Sequence, residues 1–194
     1  MRLSISATCR LRLLEESDTA ELHALIEANR EQLARWLPWA AEQTFEDTLD
    51  FVRRTREQLD HNDGFQLAIV CADKIAGVVG YRGVDWEQRS TGLGYWLGAK
   101  HQGRGTMTEA VRALVDHAVS GWGLDRVEIR AAVENRRSRA IPERLEFRLE
   151  RTLPEAEAVD GRELDSAVYA ISAAEWLGYL PRLASSSAIA GEIN

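Results

Sequence analysis

Gly94-Tyr95-Trp96-Leu97-Gly98-Ala99-Lys100-His101-Gln102-Gly103-Arg104-Gly105-Thr106-Met107-Thr108-Glu109-Ala110 holds two glycines, at 103 and 105, directly before a run with helical spacing. From Gly105 onward, Met107, Ala110, Val111, Leu114, Val115, Ala118, Val119 and Trp122 fall on one face at i, i+3, i+4 and i+7, and Gly123 ends the run. Gly92 to Gly98, just before, reads as strand. Strand, glycine loop and helix in that order make a place for an anion. Glycines let the backbone approach a phosphate closely, and the unpaired amides and positive dipole end of a first helical turn favour negative charge. The plainer alternative is a strand-to-helix turn that binds nothing. The stretch lacks the Gly-x-x-x-x-Gly-Lys-[Ser/Thr] spacing of a Walker loop and the Gly-x-Gly-x-x-Gly fingerprint of dinucleotide enzymes, which weakens ATPase and dehydrogenase readings.

Outward from that loop, the chain alternates strand and helix signals. Cys9-Arg10-Leu11-Arg12-Leu13 alternates as a first strand, and Ser17-Asp18 starts a helix through Ile26. In Leu33-Ala34-Arg35-Trp36-Leu37-Pro38-Trp39, Pro38 breaks the helical pattern and leaves two tryptophans in a loop. A helix over about 45–59 is followed by apolar, β-rich runs Phe65 to Ala72 and Ile75 to Val84, joined at Asp73-Lys74. Beyond Gly123 come a strand from Arg126 to Val133 and a helix from Ser138 to Leu145 despite Pro142. Strands Phe147 to Val159 and Leu164 to Ile171 are joined through Asp160-Gly161. There is no internal repeat and no linker; one domain over 1–184 with a frayed tail over 185–194 is the expectation.

The bulk composition narrows the partners. Among 194 residues, 45% are hydrophobic and 28% charged, as in soluble globular proteins, and no apolar run approaches the ~20 residues of a membrane span. Met1-Arg2-Leu3-Ser4 opens no apolar leader, so a cytoplasmic location is expected, with no membrane partner. A net charge of -7 prepares no surface for nucleic acid. The local cluster Arg136, Arg137, Arg139 suits the phosphates of a small ligand or forms a solvated helix face. Cys9 and Cys71 lie in apolar segments and read as free thiols in the core. His23, His61, His101 and His117 show no metal-ligand spacing, so no metal is expected.

The 94–110 segment resembles motif A of the GNAT acetyltransferase superfamily, whose core pattern is Gln/Arg-x-x-Gly-x-Gly/Ala. Met107 departs at the last position; followed by Thr-Glu-Ala, it looks like the RimJ/RimL-type ribosomal-protein N-acetyltransferases. The resemblance extends from Leu11-Arg12-Leu13 through Trp36-Leu37-Pro38-Trp39 to Val168-Tyr169-Ala170-Ile171. It implies acetyl-CoA as co-substrate, its pantetheine arm along the backbone of Trp96 and Leu97 and its pyrophosphate on the amides of Gln102, Gly103, Arg104, Gly105, Thr106 and Met107. It also implies an Asn-x-x-Ser motif, here Asn135-Arg136-Arg137-Ser138, in which Asn135 contacts the cofactor arm and Ser138 protonates the departing thiolate. Attack by an amine on a thioester creates an oxyanion and expels a thiolate, so donors at both atoms lower the barrier, one oxyanion donor by ~3 kcal/mol. Ser138 would equally serve as a helix N-cap.

In RimL-type relatives a proposed glutamate base lies in a segment resembling Leu153 to Gly161, which makes Glu157 the matching candidate. Strand alternation puts Glu155 and Glu157 on one face, where Glu155 would help bind the acceptor or both would simply meet solvent. Trp36, Trp39 and Trp96 are candidate walls of the acceptor site, or core. Leu145-Glu146-Phe147 stands where the family commonly has Leu-Gly-Phe, and Pro142 interrupts the helix after Ser138, so a distorted helix is expected there.

The expected fold is α+β (mixed α/β), GNAT-like: a mixed, mostly antiparallel sheet of about seven strands, splayed near its middle and flanked by helices. The expected activity is N-acetyl transfer by direct attack in a ternary complex, since no cysteine lies near the motifs to carry the acyl group. The acceptor is a protein N-terminus or a small-molecule amine, and a homodimer is left open as the assembly. A non-catalytic acyl-CoA-binding regulatory module, motivated by Pro142, is the alternative.

Overall fold

In the computed structural model the described residues are 2–159 and 161–179, less the side chains of Arg2 and Glu157; the expected tail over 185–194 and Asp160 of the last hairpin lie outside them. Eight strands form one sheet: β1 (Arg2–Ser4), β2 (Cys9–Leu13), β3 (Gln66–Cys71), β4 (Lys74–Asp85), β5 (Ser90–Leu97), β6 (Arg126–Ala132), β7 (Arg148–Val159) and β8 (Arg162–Ser172). Their order is β1-β2-β3-β4-β5-β6-β8-β7, antiparallel except for β5–β6. The strand beyond the expected seven is β1, three residues long and too short to show alternation. The helices are α1 (Thr19–Glu27), α2 (Arg30–Ala34), α3 (Phe45–Asp60), α4 (Thr106–Asp116), α5 (Arg136–Arg144) and α6 (173–179).

Local chemistry sets the boundaries. Thr44 Oγ1 accepts from the Asp47 amide at 3.1 Å, and the Asp47 carboxylate accepts from the Thr44 amide at 2.9 Å, closing a capping box that starts α3. The β3–β4 hairpin turns on Ala72 and Asp73, both at positive φ (48° and 61°), one residue earlier than Asp73-Lys74. The helix expected to run unbroken to Gly123 instead opens into a π turn over His117–Gly121. Tyr81 Oη donates to the Leu114 carbonyl at 2.7 Å, diverting a helix acceptor, and the Trp122 amide reaches five residues back to His117 O at 3.0 Å.

The main core lies on one sheet face, where Leu67, Ile69, Val79, Tyr81, Leu93 and Ile129 pack with Met107, Ala110, Val111 and Leu114 of α4 and with Trp176 of α6. The opposite face buries Ala68, Val70 and Val78 beneath Leu22 and Ile26 of α1 and Val52 of α3. Each buried Leu, Ile, Val or Met among them contributes about 1.5–3 kcal/mol by leaving water. Cys9 and Cys71, read as free thiols, are instead joined in a disulfide between directly opposed positions of β2 and β3.

Between the halves the sheet splays. The parallel β5–β6 pairing runs only from Ser90↔Arg126 to Leu93↔Ile129. Beyond it, β5 stays paired to β4 as far as Leu97, and β6 stays paired to β8 as far as Ala132. Each half is therefore held from outside while the inner edge of residues 94–97 stands open.

Candidate active site

A cleft of about 1470 Å³ occupies this splay and reaches both faces of the sheet. At its α4 end lie Gln102, Gly103, Gly105, Thr106 and Met107, and at its α1–α3 end Trp36, Trp39, Phe51 and Arg54. Trp96, Leu97, Asn135 and Ser138 line it between them. Of the expected site residues, Arg104 and Glu155 are not among the lining residues, and the side chain of Glu157 lies outside the described residues.

The loop before α4 has the shape of an anion cradle. Gly103 and Gly105 hold φ of +75° and +77°, and a Cβ on either would meet nothing within 4 Å. The left-handed backbone turns the following amides outward, and the space in front of them is open. The Glu109 amide closes a helical bond to Gly105 O at 3.0 Å, which leaves the first-turn amides of 106–108 without an intrahelical partner. Such a donor set fits a pyrophosphate. Gln102 spans the cleft mouth: its Nε2 donates to Leu97 O at 2.9 Å, and its Oε1 accepts from Arg137 Nη1 at 2.9 Å.

Across the splay, Asn135 rather than Ser138 caps α5, its Oδ1 accepting the Ser138 amide at 3.1 Å. Ser138 is thereby freed from capping and sits in the first turn facing the cleft. α5 runs unbroken through Pro142, against the expected distortion. It is tied to β8 by Tyr169, whose Oη donates to Glu143 Oε1 at 2.6 Å and accepts from Arg139 Nε at 2.8 Å. Glu146, in place of the family's glycine, holds φ of +59° where α5 turns into β7, the left-handed region in which a side chain is strained.

Tyr95 on β5 closes toward α5. Its Oη donates to Ser138 O at 3.0 Å, and Ser138 Oγ donates to Tyr95 Oη at 3.4 Å. Burial pushes the Tyr95 phenol above its ordinary value, so it remains a donor at neutral pH.

The segment read as a broken loop between Leu33 and Trp39 forms a roof over the other end. Trp36 packs on Ala132, Val159 and Leu164 of the β6–β8–β7 half, and Trp39 lies 6.2 Å from Trp96 of β5, ring centre to ring centre. Arg30, which sequence reasoning passed over, holds this segment: its guanidinium donates to the carbonyls of Ala40 (2.6 Å), Ala41 (2.9 Å) and Gln43 (2.7 Å). A lone arginine on a helix gives no signal of that role before the loop is placed. Arg54 and Arg82 also line the cleft, so an acidic chain presents a cationic opening. His101, expected at the surface or in packing, lines the cleft too, whereas His117 packs against Tyr81 and Trp122 with its imidazole pKa lowered by burial.

The regular alternation on which a common face for Glu155 and Glu157 was expected is interrupted between them. The β7–β8 register shifts between Leu153 and Glu157, and Glu155 takes φ of +51° in that bulge. Its amide is held by Asp165 Oδ1 at 3.0 Å and its side chain is exposed, while the Glu157 backbone pairs with Leu164.

A model of the acetyltransferase (GNAT) domain family matches residues 9–148. The chain is 32% identical over 170 residues to the putative ribosomal N-acetyltransferase YdaF of Bacillus subtilis, a match covering 87% of this chain and 93% of the relative. It is 29% identical to the ribosomal-protein-serine acetyltransferase of Escherichia coli, over 87% and 94% of the two chains. Among solved structures, a RimL ribosomal L7/L12 alpha-N-protein acetyltransferase in complex with coenzyme A superposes with a TM-score of 0.85 at 28% identity, over 89% of this chain and 98% of that one. The microcin C7 self-immunity acetyltransferase MccE, with acetyl-CoA and AMP, gives 0.83 at 28% identity, over 87% and 94%.

Proposed function

The chain belongs to the GNAT acetyltransferase family and is an acetyl-CoA-dependent N-acetyltransferase, and we propose that its acceptor is the α-amine of a protein N-terminus. The observation that carries this reading is the continuity of the cleft through the sheet. Donor and acceptor enter from opposite faces and meet at the open edge of 94–97, as a ternary complex requires. The protein N-terminal acceptor is favoured because two relatives matched over most of their length are named for ribosomal proteins. The cationic opening at Arg54 and Arg82 suits an acidic segment behind the reacting amine.

Acetyl-CoA supplies an acetyl group on a thiol leaving group. The amides of 103–107 bind its pyrophosphate, the 96–97 edge and Asn135 orient its arm, and Trp36 and Trp39 wall the acceptor. Glu157 takes a proton from the acceptor ammonium. That proton passes to solvent; as the C–N bond forms and the C–S bond breaks, the second proton of the attacking nitrogen goes to Glu157 and Ser138 Oγ gives a proton to the sulphur, and the proton on Glu157 then returns through solvent to Ser138, so that one proton is released overall. Direct attack is supported by the cysteines, both consumed by the disulfide. The regulatory-module alternative loses its ground, because α5 is continuous at Pro142.

Acetyl-CoA is incubated with peptides that begin with serine followed by acidic, neutral or basic residues, and with small amines. One acetyl mass on the peptide α-amine, fastest for the acidic peptide, is the expected result. Acetylation of the small amines alone would assign the second acceptor class.

A further inference from the structure

We infer that Tyr95 is a positioning residue for Ser138, and that Pro142 is what makes room for it. The inference rests on the reading of Ser138 as the proton donor to sulphur.

A proline inside a helix has no N–H, so the carbonyl four residues back loses its usual donor. In α5 that carbonyl belongs to Ser138, and it receives the Tyr95 hydroxyl at 3.0 Å. The two residues are 43 positions apart and on opposite sides of the splay, so the bond ties the open edge of β5 to the first turn of α5. Burial keeps the phenol protonated, which commits its one hydrogen to the carbonyl and leaves its oxygen as an acceptor. The Ser138 hydroxyl points to that oxygen at 3.4 Å, a bond long enough to be exchanged for a better acceptor. Tyr95 thus fixes both the backbone and the hydroxyl direction of Ser138 without itself carrying a proton through the reaction. An ordinary helical N–H at position 142 would compete for the same carbonyl and release the phenol. The residue that looked like damage to the helix is the one that frees the attachment point.

The test is steady-state acetylation of the serine-led acidic peptide by the full chain, with Ser138→Ala, Tyr95→Phe, Pro142→Ala and the two doubles Tyr95→Phe/Ser138→Ala and Tyr95→Phe/Pro142→Ala. Tyr95→Phe is expected to lower kcat about tenfold, with KM and acetyl-CoA affinity unchanged. In the Ser138→Ala background the same change is expected to cost nothing further, because its effect passes through the missing hydroxyl. In Tyr95→Phe/Pro142→Ala the restored N–H satisfies the carbonyl, so the thermal midpoint recovers while kcat stays low; this guards against reading misfolding as mechanism. Wild-type kcat in Tyr95→Phe, or an equal fold-loss with and without Ser138, overturns the inference while leaving Ser138 as donor. Wild-type kcat in Ser138→Ala overturns the reading of Ser138 and the inference with it.

Discussion

Gly105 opens α4 with φ of +77° and empty space where a side chain would sit. A valine there costs about 1–2 kcal/mol of left-handed strain and places two methyls in front of the first-turn amides. Gly105→Val is therefore expected to weaken acetyl-CoA binding at least about tenfold by calorimetry, more than its small loss of stability explains. Asp18 offers a test by pH. Burial alone would raise its pKa, but Arg12, at 2.5 and 2.7 Å, and the Glu15 amide at 2.9 Å outweigh burial and hold it below the ordinary value. A depressed folded-state pKa means stability that is complete above the unfolded pKa, about 4, and lost as pH falls through the folded one. Asp18→Asn should cost about 1–3 kcal/mol at neutral pH, and the gap in thermal midpoint from wild type should close below about pH 4. At this scale the shape of the loop from Gln102 to Met107 was readable from its neighbours in the chain, whereas Asn135 and Ser138 were singled out only through the family resemblance. Tyr95 and Arg30 escaped notice because their bonds are to distant or irregular backbone, and the bulge between Leu153 and Glu157 was hidden because a two-residue period assumes an uninterrupted strand.

α5 and its exit carry the clearest departure from the family pattern. Glu146 occupies a left-handed position at φ +59°, where glycine is at ease. Glu146→Gly should stabilise the chain by about 1 kcal/mol, raising the thermal midpoint by about 2–4 °C. The roof of residues 36–41 depends on one side chain. Arg30→Ala removes its three carbonyl contacts, so the acceptor KM should rise severalfold with acetyl-CoA affinity unchanged, as measured by titration beside steady-state kinetics. Elements with a strong period, such as α3, α4, β3 and β4, were legible in the chain. The π turn after Asp116 was not, because it depends on Tyr81 reaching the Leu114 carbonyl from another strand. Helix α2 was hidden in the same way, being only five residues long and ended before Pro38.

For the molecule as a whole, function follows from one interruption: a sheet continuous in eight strands is open at the inner edges of β5 and β6. Periodicity revealed strands but not their order, and the parallel pair that creates the opening is a property of topology alone. The splay was legible only through family resemblance. The disulfide joins β2 to β3, at the far side of β4 from the cleft. Its reduction should lower stability by about 2–4 kcal/mol, read as a shift in denaturant midpoint, and leave donor affinity unchanged. The central claim is that the opening receives acetyl-CoA with its pyrophosphate on the amides before α4. Calorimetric titration of acetyl-CoA into wild type and Gly105→Val tests it most directly. One molecule should bind per wild-type chain, and the variant should bind far more weakly; no binding to wild type, or equal affinity in both, would contradict the account.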